Sequence, residues 1–276
     1  MCLMFWYMNI ICIVRWGSDT SQPFCVPLGI KQGGINSPEF FSCYFNDLIE
    51  ILRKKGIGCH WYKLFVAILL FADDICLMAP TRSALQSLIS SCESYCQKFC
   101  LAFNPKKSKI LVFSKKPVNF DNLKPIIMNE KTIDYVTSIR YLGVLITSRN
   151  SFAFSAKDDL RNFYRTSNSI LNALKKPDET VLMHLLYANC VPTVTYACAV
   201  KSFSAKEMQE CTTALNNAIR RIFSFNRWES IRLLRDNFGY KSLIDIFSSA
   251  SRKFIISLTS HPNSILREIH ARLYVD

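Results

Sequence analysis

KLFVAILLFADDICLMAP, residues 63–80, sets two adjacent aspartates, Asp73 and Asp74, inside an almost unbroken apolar run. Burying an unpaired carboxylate costs several kcal/mol, so these acids must either leave the apolar layer or meet something positive. A membrane helix is a poor reading, because both acids would sit near its middle. The two apolar pieces, 64–71 and 75–79, are rich in β-formers and flank Ala72-Asp73-Asp74. Their lengths predict a strand, a tight turn carrying the aspartates, and a return strand.

The flanks of this hairpin read as helices. Upstream, Ser37-Pro38 predicts a helix start, with serine as N-cap and proline in the first turn. Phe40, Phe41, Tyr44, Phe45, Leu48, Ile49 and Leu52 follow at helical spacing, Arg53 to Lys55 complement the C-terminal dipole, and Gly56 supplies the stop. Downstream, Thr81 caps a second amphipathic helix that turns Leu85, Leu88, Ile89, Cys92, Tyr95, Cys96 and Phe99 inward and ends at Asn104-Pro105. Strands are expected at ILVF (110–113), around 133–136 and over 141–146. From about residue 151 the texture becomes helical, with helices expected over 155–175, 178–190, 205–225 and 240–258, punctuated by Pro177, Pro192 and Pro262. The fold class is α+β, divided into residues 1–150, mixed sheet and helix, and residues 151–276, mostly helical.

The totals limit the possible partners. With 34 basic against 21 acidic residues the chain carries +13, a field suited to an anionic polymer or surface, although basicity alone names no partner. Twelve cysteines include no CxxC pair. Cys92, Cys96 and Cys100 recur every four residues, which on a helix stacks them along one face as small apolar side chains facing a core. They are read as reduced thiols of an intracellular protein, with nucleus and cytoplasm unresolved. The opening MCLMFWYMNIICIVRW is apolar, but it has no basic leader, and Asn9 and Arg15 interrupt it before a membrane span accumulates. It reads as a buried helix or strand.

Adjacent carboxylates at a hairpin tip suit a divalent metal ion, because Mg²⁺ takes a few carboxylate oxygens together with phosphate oxygens and water. The bland alternative is an Asp-Asp turn that solvent hydrates. The neighbouring motifs favour the chemical reading. FADD at 71–74 resembles the YADD box of reverse transcriptases, with Phe71 in place of the usual tyrosine. GIKQGGINSP at 29–38 resembles the G-x-x-Q-G-x-x-x-S-P motif that precedes that box. LAFNPKKSKILVF at 101–113 is similar to the G-L-x-x-N-x-x-K-[ST] segment that follows it, and RYLGV at 140–144 to the primer-grip element. Four short motifs in this order give the flavour of non-LTR, LINE-like retrotransposon polymerases over about residues 10–150.

The resemblance implies a polymerase palm, an antiparallel sheet with helices on one face, followed by a thumb-like helical region. It implies an RNA template, a DNA primer, dNTP substrates and two Mg²⁺ ions; the acids within the apolar run argue against a membrane partner. Asp73 and Asp74 would hold the metal, and Lys107 would neutralise or protonate the leaving pyrophosphate. Gln32 and Gly33 would line the nucleotide pocket, and Tyr141, Leu142 and Gly143 would pack beneath the primer terminus. The bland counterparts are a glycine turn before a helix, a solvated lysine and an ordinary strand. Arg220 and Arg221 are candidate contacts to the nucleic-acid backbone.

One expected part is missing from these residues. The family's site also uses an aspartate on an earlier strand, within an F-x-x-D-x-x-x-A-F-D pattern. The only acid before residue 39 is Asp19, which does not fit. Fingers, endonuclease and zinc-knuckle segments are likewise not seen. The expectation is an N-terminally truncated polymerase that is inactive alone, the alternative being a residual, non-enzymatic nucleic-acid-binding fragment.

Overall fold

A computed structural model describes residues 10–26, 29, 33–116, 118–148, 152–154, 156–173 and 178–274. The aspartate-bearing stretch forms the expected hairpin. Strand β1 (Ile68–Phe71) pairs antiparallel with β2 (Asp74–Leu77), in the register Ile68↔Leu77, Leu69↔Cys76, Leu70↔Ile75 and Phe71↔Asp74. The upstream apolar run is broken, however. Leu64–Phe65 pairs separately with His60–Trp61, and the chain bends at Val66 and Ala67 before β1 begins.

The chain divides into two compact units, one of residues 1–105 with 126–132 and the other of residues 106–125 with 133–276. This division by compactness does not coincide with the change of texture at residue 150.

In the first unit, helix α1 (Ser37–Lys55) and helix α2 (Arg82–Lys98) supply Phe45, Leu48, Leu52, Leu88, Cys92, Tyr95 and Cys96 to one core, which also holds Ala67. Ile68, Leu70, Ile75 and Leu77 of the hairpin pack against it. The N-cap of α1 is Asn36 rather than Ser37, and its side chain makes no cap bond; Ser37 is buried inside the first turn with Pro38 beside it. Gly56 closes α1 at φ 65°, and Thr81 caps α2 by accepting from the Ala84 amide, both as expected.

Helix α2 ends earlier than the Asn104-Pro105 signal suggests. Cys100 takes a left-handed φ of 55°, the Cys100 amide donates to the Gln97 carbonyl, and the Leu101 amide donates to the Cys96 carbonyl. That is a Schellman closure with cysteine where glycine is usual. Cys92 and Cys96 are core residues, but Cys100 is exposed. Strand β3 (Ile126–Met128) lies beside α2, where the Gln86 amide group both donates to the Ile127 carbonyl and accepts from the Ile127 amide.

The apolar start is not buried where it is described. Residues 11–12 pair with 24–25 and residues 15–16 with 19–20, leaving Ile11, Ile13, Val14 and Trp16 exposed, the last at 85%. Residues 1–9 lie outside the described residues.

The second unit holds strand β4 (Lys109–Leu111), which pairs in parallel with residues 134–136 of β5 (Lys131–Val136). Next comes a meander of β6 (Ser138–Tyr141), β7 (Val144–Ser148) and β8 (Phe152–Phe154). The helices follow: α3 (Lys157–Ala173), α4 (Glu179–Leu185), α5 (Val191–Thr195), α6 (Ala205–Ile222), α7 (Arg232–Asn237), α8 (Leu243–Thr259) and α9 (Ser264–Tyr274).

Their core gathers Phe163, Met183, Leu186, Cys190, Leu215, Ile219, Leu243 and Phe247. Pro192 does not end the helical path. A π-helical turn over Leu186–Cys190 precedes it and places Pro192 in the first turn of α5, where no amide hydrogen is needed. Three starts carry side-chain caps: Asp178 on α4, a Ser204–Glu207 capping box on α6, and Ser242 on α8. The protein is thus a mixed α and β structure.

Candidate active site

The hairpin turn is strained and displays its acids. Phe71 and Asp74 flank the two turn residues Ala72 and Asp73, and Ala72 has φ 50°. Positive φ at the first turn residue alone is the II′ pattern, which glycine ordinarily occupies. Cross-strand partners share a face, so Phe71, Asp74, Leu69 and Cys76 form the outer face while Ile68, Leu70, Ile75 and Leu77 form the core face. Burial agrees towards the tip: Leu69, Phe71 and Asp74 are exposed, whereas Cys76, nearer the base, and the four core-face residues are half-buried. The carboxylates have therefore left the apolar layer, which answers the solvation problem posed by the sequence.

Asp73 and Asp74 are both exposed, and neither carboxylate has a hydrogen-bond or ion-pair partner among the described residues. Below them, burial pushes the Cys76 thiol above its ordinary range. The base of the hairpin is fixed by the Met78 amide donating to the Ala67 carbonyl at 2.8 Å and the Cys59 amide donating to the Met78 carbonyl at 3.0 Å. A rigid base and a free tip result.

Two hard carboxylates without partners fit a largely hydrated Mg²⁺ that completes its shell with phosphate oxygens. They do not form a closed protein cage, because no group of three or more His, Cys, Asp or Glu side chains suited to a metal ion occurs among the described residues.

The other predicted residues stand as follows. Gly33 has φ 81° just before α1, and open space surrounds the position its β-carbon would take. Gln32 lies outside the described residues. Lys107 is exposed in the turn over 105–107, and its ammonium has no partner among the described residues.

The segment around Tyr141-Leu142-Gly143 is not one strand. Tyr141 ends β6, Leu142 (φ 46°) and Gly143 (φ 77°) form the turn, and Val144 begins β7. Positive φ at both turn residues is the I′ pattern. Arg220 and Arg221 are engaged within the chain. Arg220 donates to the Glu229 carbonyl and to Asn217 Oδ1, and Arg221 donates to Asn168 Oδ1 at 2.7 Å.

Sequence reasoning passed over Tyr196 and Asp158, which brace the Leu142-Gly143 turn directly and through Arg140. The Tyr196 hydroxyl donates to the Leu142 carbonyl at 2.8 Å, and Arg140 Nη2 donates to Asp158 Oδ2 at 3.0 Å. Tyr196 is 54 residues from Leu142 and belongs to no motif, so only the fold could reveal it.

Among the described residues, no helix is long and apolar enough to cross a membrane. A family model described as "Reverse transcriptase (RNA-dependent DNA polymerase)" matches residues 3–146. The chain is 24% identical over 211 residues to the retrovirus-related Pol polyprotein from type-1 retrotransposable element R2 of Popillia japonica, covering 74% of this chain and 29% of that protein. It is 23% identical over 219 residues to the probable RNA-directed DNA polymerase from transposon BS of Drosophila melanogaster, covering 76% and 24% respectively. It is also 20% identical over 264 residues to the probable RNA-directed DNA polymerase from transposon X-element of the same organism, covering 91% and 28%. The last alignment is too long to stop at residue 146, so the likeness continues into the helices. The chain spans under a third of the length of these relatives.

Proposed function

Since the chain belongs to the reverse transcriptase (RNA-dependent DNA polymerase) family, and to its non-LTR retrotransposon branch, we propose that the Phe71–Asp74 hairpin is the metal-bearing tip of an RNA-directed DNA polymerase site. The observation that carries this reading is the pair of exposed, unpartnered carboxylates on a strained turn anchored in a core. A turn kept only for folding would more readily place glycine at residue 72.

On this reading residues 1–150 are the palm and residues 151–276 the thumb-like region. Asp73 and Asp74 hold two Mg²⁺ ions, with Asp73 as principal ligand. Bound there, such ions lend charge stabilisation to the attacking and leaving oxygens of a phosphoryl transfer. The chain's own groups bind and orient the reactants. Gln32 and Gly33 border the incoming dNTP, a role supported at Gly33 by the open space around the position of its missing β-carbon. Lys107 meets the leaving pyrophosphate through its exposed ammonium. The Leu142-Gly143 turn supports the primer end, whose 3′-hydroxyl attacks the dNTP α-phosphate. The +13 charge holds an RNA template and a DNA primer through their phosphates.

These 276 residues contain two carboxylates of a three-carboxylate set, since no F-x-x-D-x-x-x-A-F-D segment occurs in them. By themselves they are proposed to bind template–primer without extending it, the missing ligand lowering the rate by several orders of magnitude. Primer extension by the 276-residue chain on an RNA template with Mg²⁺ tests this. The expected result is no incorporation above that of Asp73→Ala, and incorporation that Asp73→Ala abolishes would overturn it.

A second reading is a non-enzymatic nucleic-acid-binding fragment, favoured by the lack of any three-ligand cluster among the described residues. Coupling separates the two. Under the polymerase reading, Mg²⁺ strengthens dNTP binding in the native chain and fails to do so in Asp73→Asn. Under the fragment reading, Asp73→Asn changes nothing and only a steep salt dependence of duplex affinity remains.

A further inference from the structure

The Leu142-Gly143 turn is held by a residue that no motif of the sequence announces, Tyr196, and by Arg140 of its own RYLGV segment. The Tyr196 hydroxyl donates to the Leu142 carbonyl at 2.8 Å. The Tyr196 ring also closes over the next residue: a β-carbon on Gly143 would lie 3.0 Å from Tyr196 Cε1 and 3.4 Å from Cζ. Glycine at 143 thus serves both the φ of 77° and the close approach of an aromatic edge. Tyr196 has a further contact, over its ring. Lys201 Nζ stands 5.9 Å from the Tyr196 ring centroid, and the same ammonium is paired to Asp159 Oδ2 at 2.8 Å. A second brace comes from Arg140, which reaches the Gly143 carbonyl at 3.5 Å and Asp158 at 3.0 Å.

Asp158 and Asp159 are neighbours in the first turn of α3, so both braces start from one rigid point. A two-residue hairpin turn closes through its own strand pairing, as the Tyr141↔Val144 register shows. The tyrosine and the arginine add restraint on the direction in which the tip points. Tyr196 nevertheless remains exposed, so its hydroxyl is spent on the turn where it could have bonded to water.

We propose that Tyr196 is a positioning residue that fixes the Leu142-Gly143 turn in the direction required to meet a primer terminus, with Lys201 and Asp159 holding the tyrosine. This rests on the reading of that turn as a primer contact. The prediction is selective: loosening the tip blunts recognition of a recessed 3′ end and leaves general attraction to the duplex intact, because the latter is spread over many cations.

The test compares the full 276-residue chain with Tyr196→Phe, which keeps the ring against Gly143 and removes only the hydroxyl. Binding is measured to an RNA–DNA hybrid with a recessed DNA 3′ end and to a blunt hybrid of equal length. Amide exchange is followed across residues 138–148. Native protein is expected to prefer the recessed end. Tyr196→Phe should lose about threefold to tenfold of that preference, the weight of one hydrogen bond, with blunt-end affinity and thermal midpoint unchanged. Hairpin exchange should accelerate by a similar factor.

If Tyr196→Phe keeps the preference, or hairpin exchange stays the same, the positioning role is overturned while the primer contact survives. Equal losses on both duplexes together with a lowered midpoint would show a merely structural tyrosine, which also overturns it. If the native chain itself shows no preference, the reading of the turn as a primer contact fails first and the positioning role falls with it. Asp158→Asn, which loosens Arg140 at the surface, should shift the preference in the same direction as Tyr196→Phe, and an opposite shift would contradict the proposal.

Discussion

Gly58 and Ala67 approach so closely that a β-carbon on Gly58 would lie 2.3 Å from that of Ala67. Met78 and Leu88 crowd the same point at 3.2 and 3.3 Å, and Gly58 has φ 122°. Ala67 is the residue from which β1 departs, so this contact sets the base of the aspartate hairpin. Gly58→Ala combines overpacking with backbone strain and should destabilise the first unit by about 2–5 kcal/mol. Urea unfolding followed by an environment-sensitive signal from Trp61 measures it. A loss no larger than that of an exposed glycine such as Gly29 would refute the packing assigned to the hairpin base.

The cysteines should separate into two reactivity classes. Burial, with Cys96 and Glu93 nearby, pushes the Cys92 thiol up to about 12; burial takes Cys190 to about 11, and burial with neighbouring acids does the same for Cys211. Cys25, Cys43 and Cys100 are exposed. Brief alkylation at neutral pH with mass-spectrometric mapping should therefore label Cys25, Cys43 and Cys100 and spare Cys92, Cys190 and Cys211. Rapid labelling of Cys92 in the native protein would contradict the core placement.

Among the described residues of the second unit, Lys201 and Asp159 form the most enclosed ion pair, with side chains only 4% and 13% exposed. Removing one partner strands the other charge, so Lys201→Met should cost about 3–5 kcal/mol. Combining it with Asp159→Leu should recover most of that loss, because a desolvated pair contributes little beyond an apolar replacement. A double-mutant cycle in chemical denaturation reads the coupling, and simple additivity would show that the pair is not formed.

Acid should weaken the helical unit at its caps. Burial raises the Glu207 pKa, but bonds from the Ser204 amide and hydroxyl and the Ala156 amide outweigh it, leaving the carboxyl below its ordinary value. Bonds from Ser242 likewise lower Asp245. A carboxyl whose folded pKa is depressed stabilises the fold fully above its unfolded pKa and loses that contribution as pH falls through the folded one. Stability should therefore hold at neutral pH and decline below about pH 4, and Glu207→Gln should flatten that decline. Thermal midpoints of both proteins across this range check the sign.

Much of the local structure around the candidate site can be read from residue order because its local signals agree. Two β-rich runs around an acidic pair specified the Phe71–Asp74 hairpin, and apolar spacing with Thr81 or Gly56 at the ends specified two helices. The failures came where a residue takes a conformation its type rarely adopts. Leu142 at φ 46° hid a turn inside what read as a single strand, and Cys100 at φ 55° closed a helix without glycine. Pro192 reads as a stop signal by composition but sits in a helix start prepared by a π turn, a device with no local signature. Tyr196 was invisible for another reason: its partner lies 54 residues away, and long-range contacts leave no periodicity.

The proposed role of the hairpin tip depends on Asp73 and Asp74 holding divalent metal together with a nucleotide. Mn²⁺, which has the same oxygen preference as Mg²⁺ and broadens nearby resonances, tests it in the 276-residue protein with template–primer and dNTP present. Broadening should centre on residues 71–76, and Asp73→Asn should remove it without lowering the thermal midpoint, because that carboxylate has no partner among the described residues. Broadening centred elsewhere, or unchanged in Asp73→Asn, would contradict it.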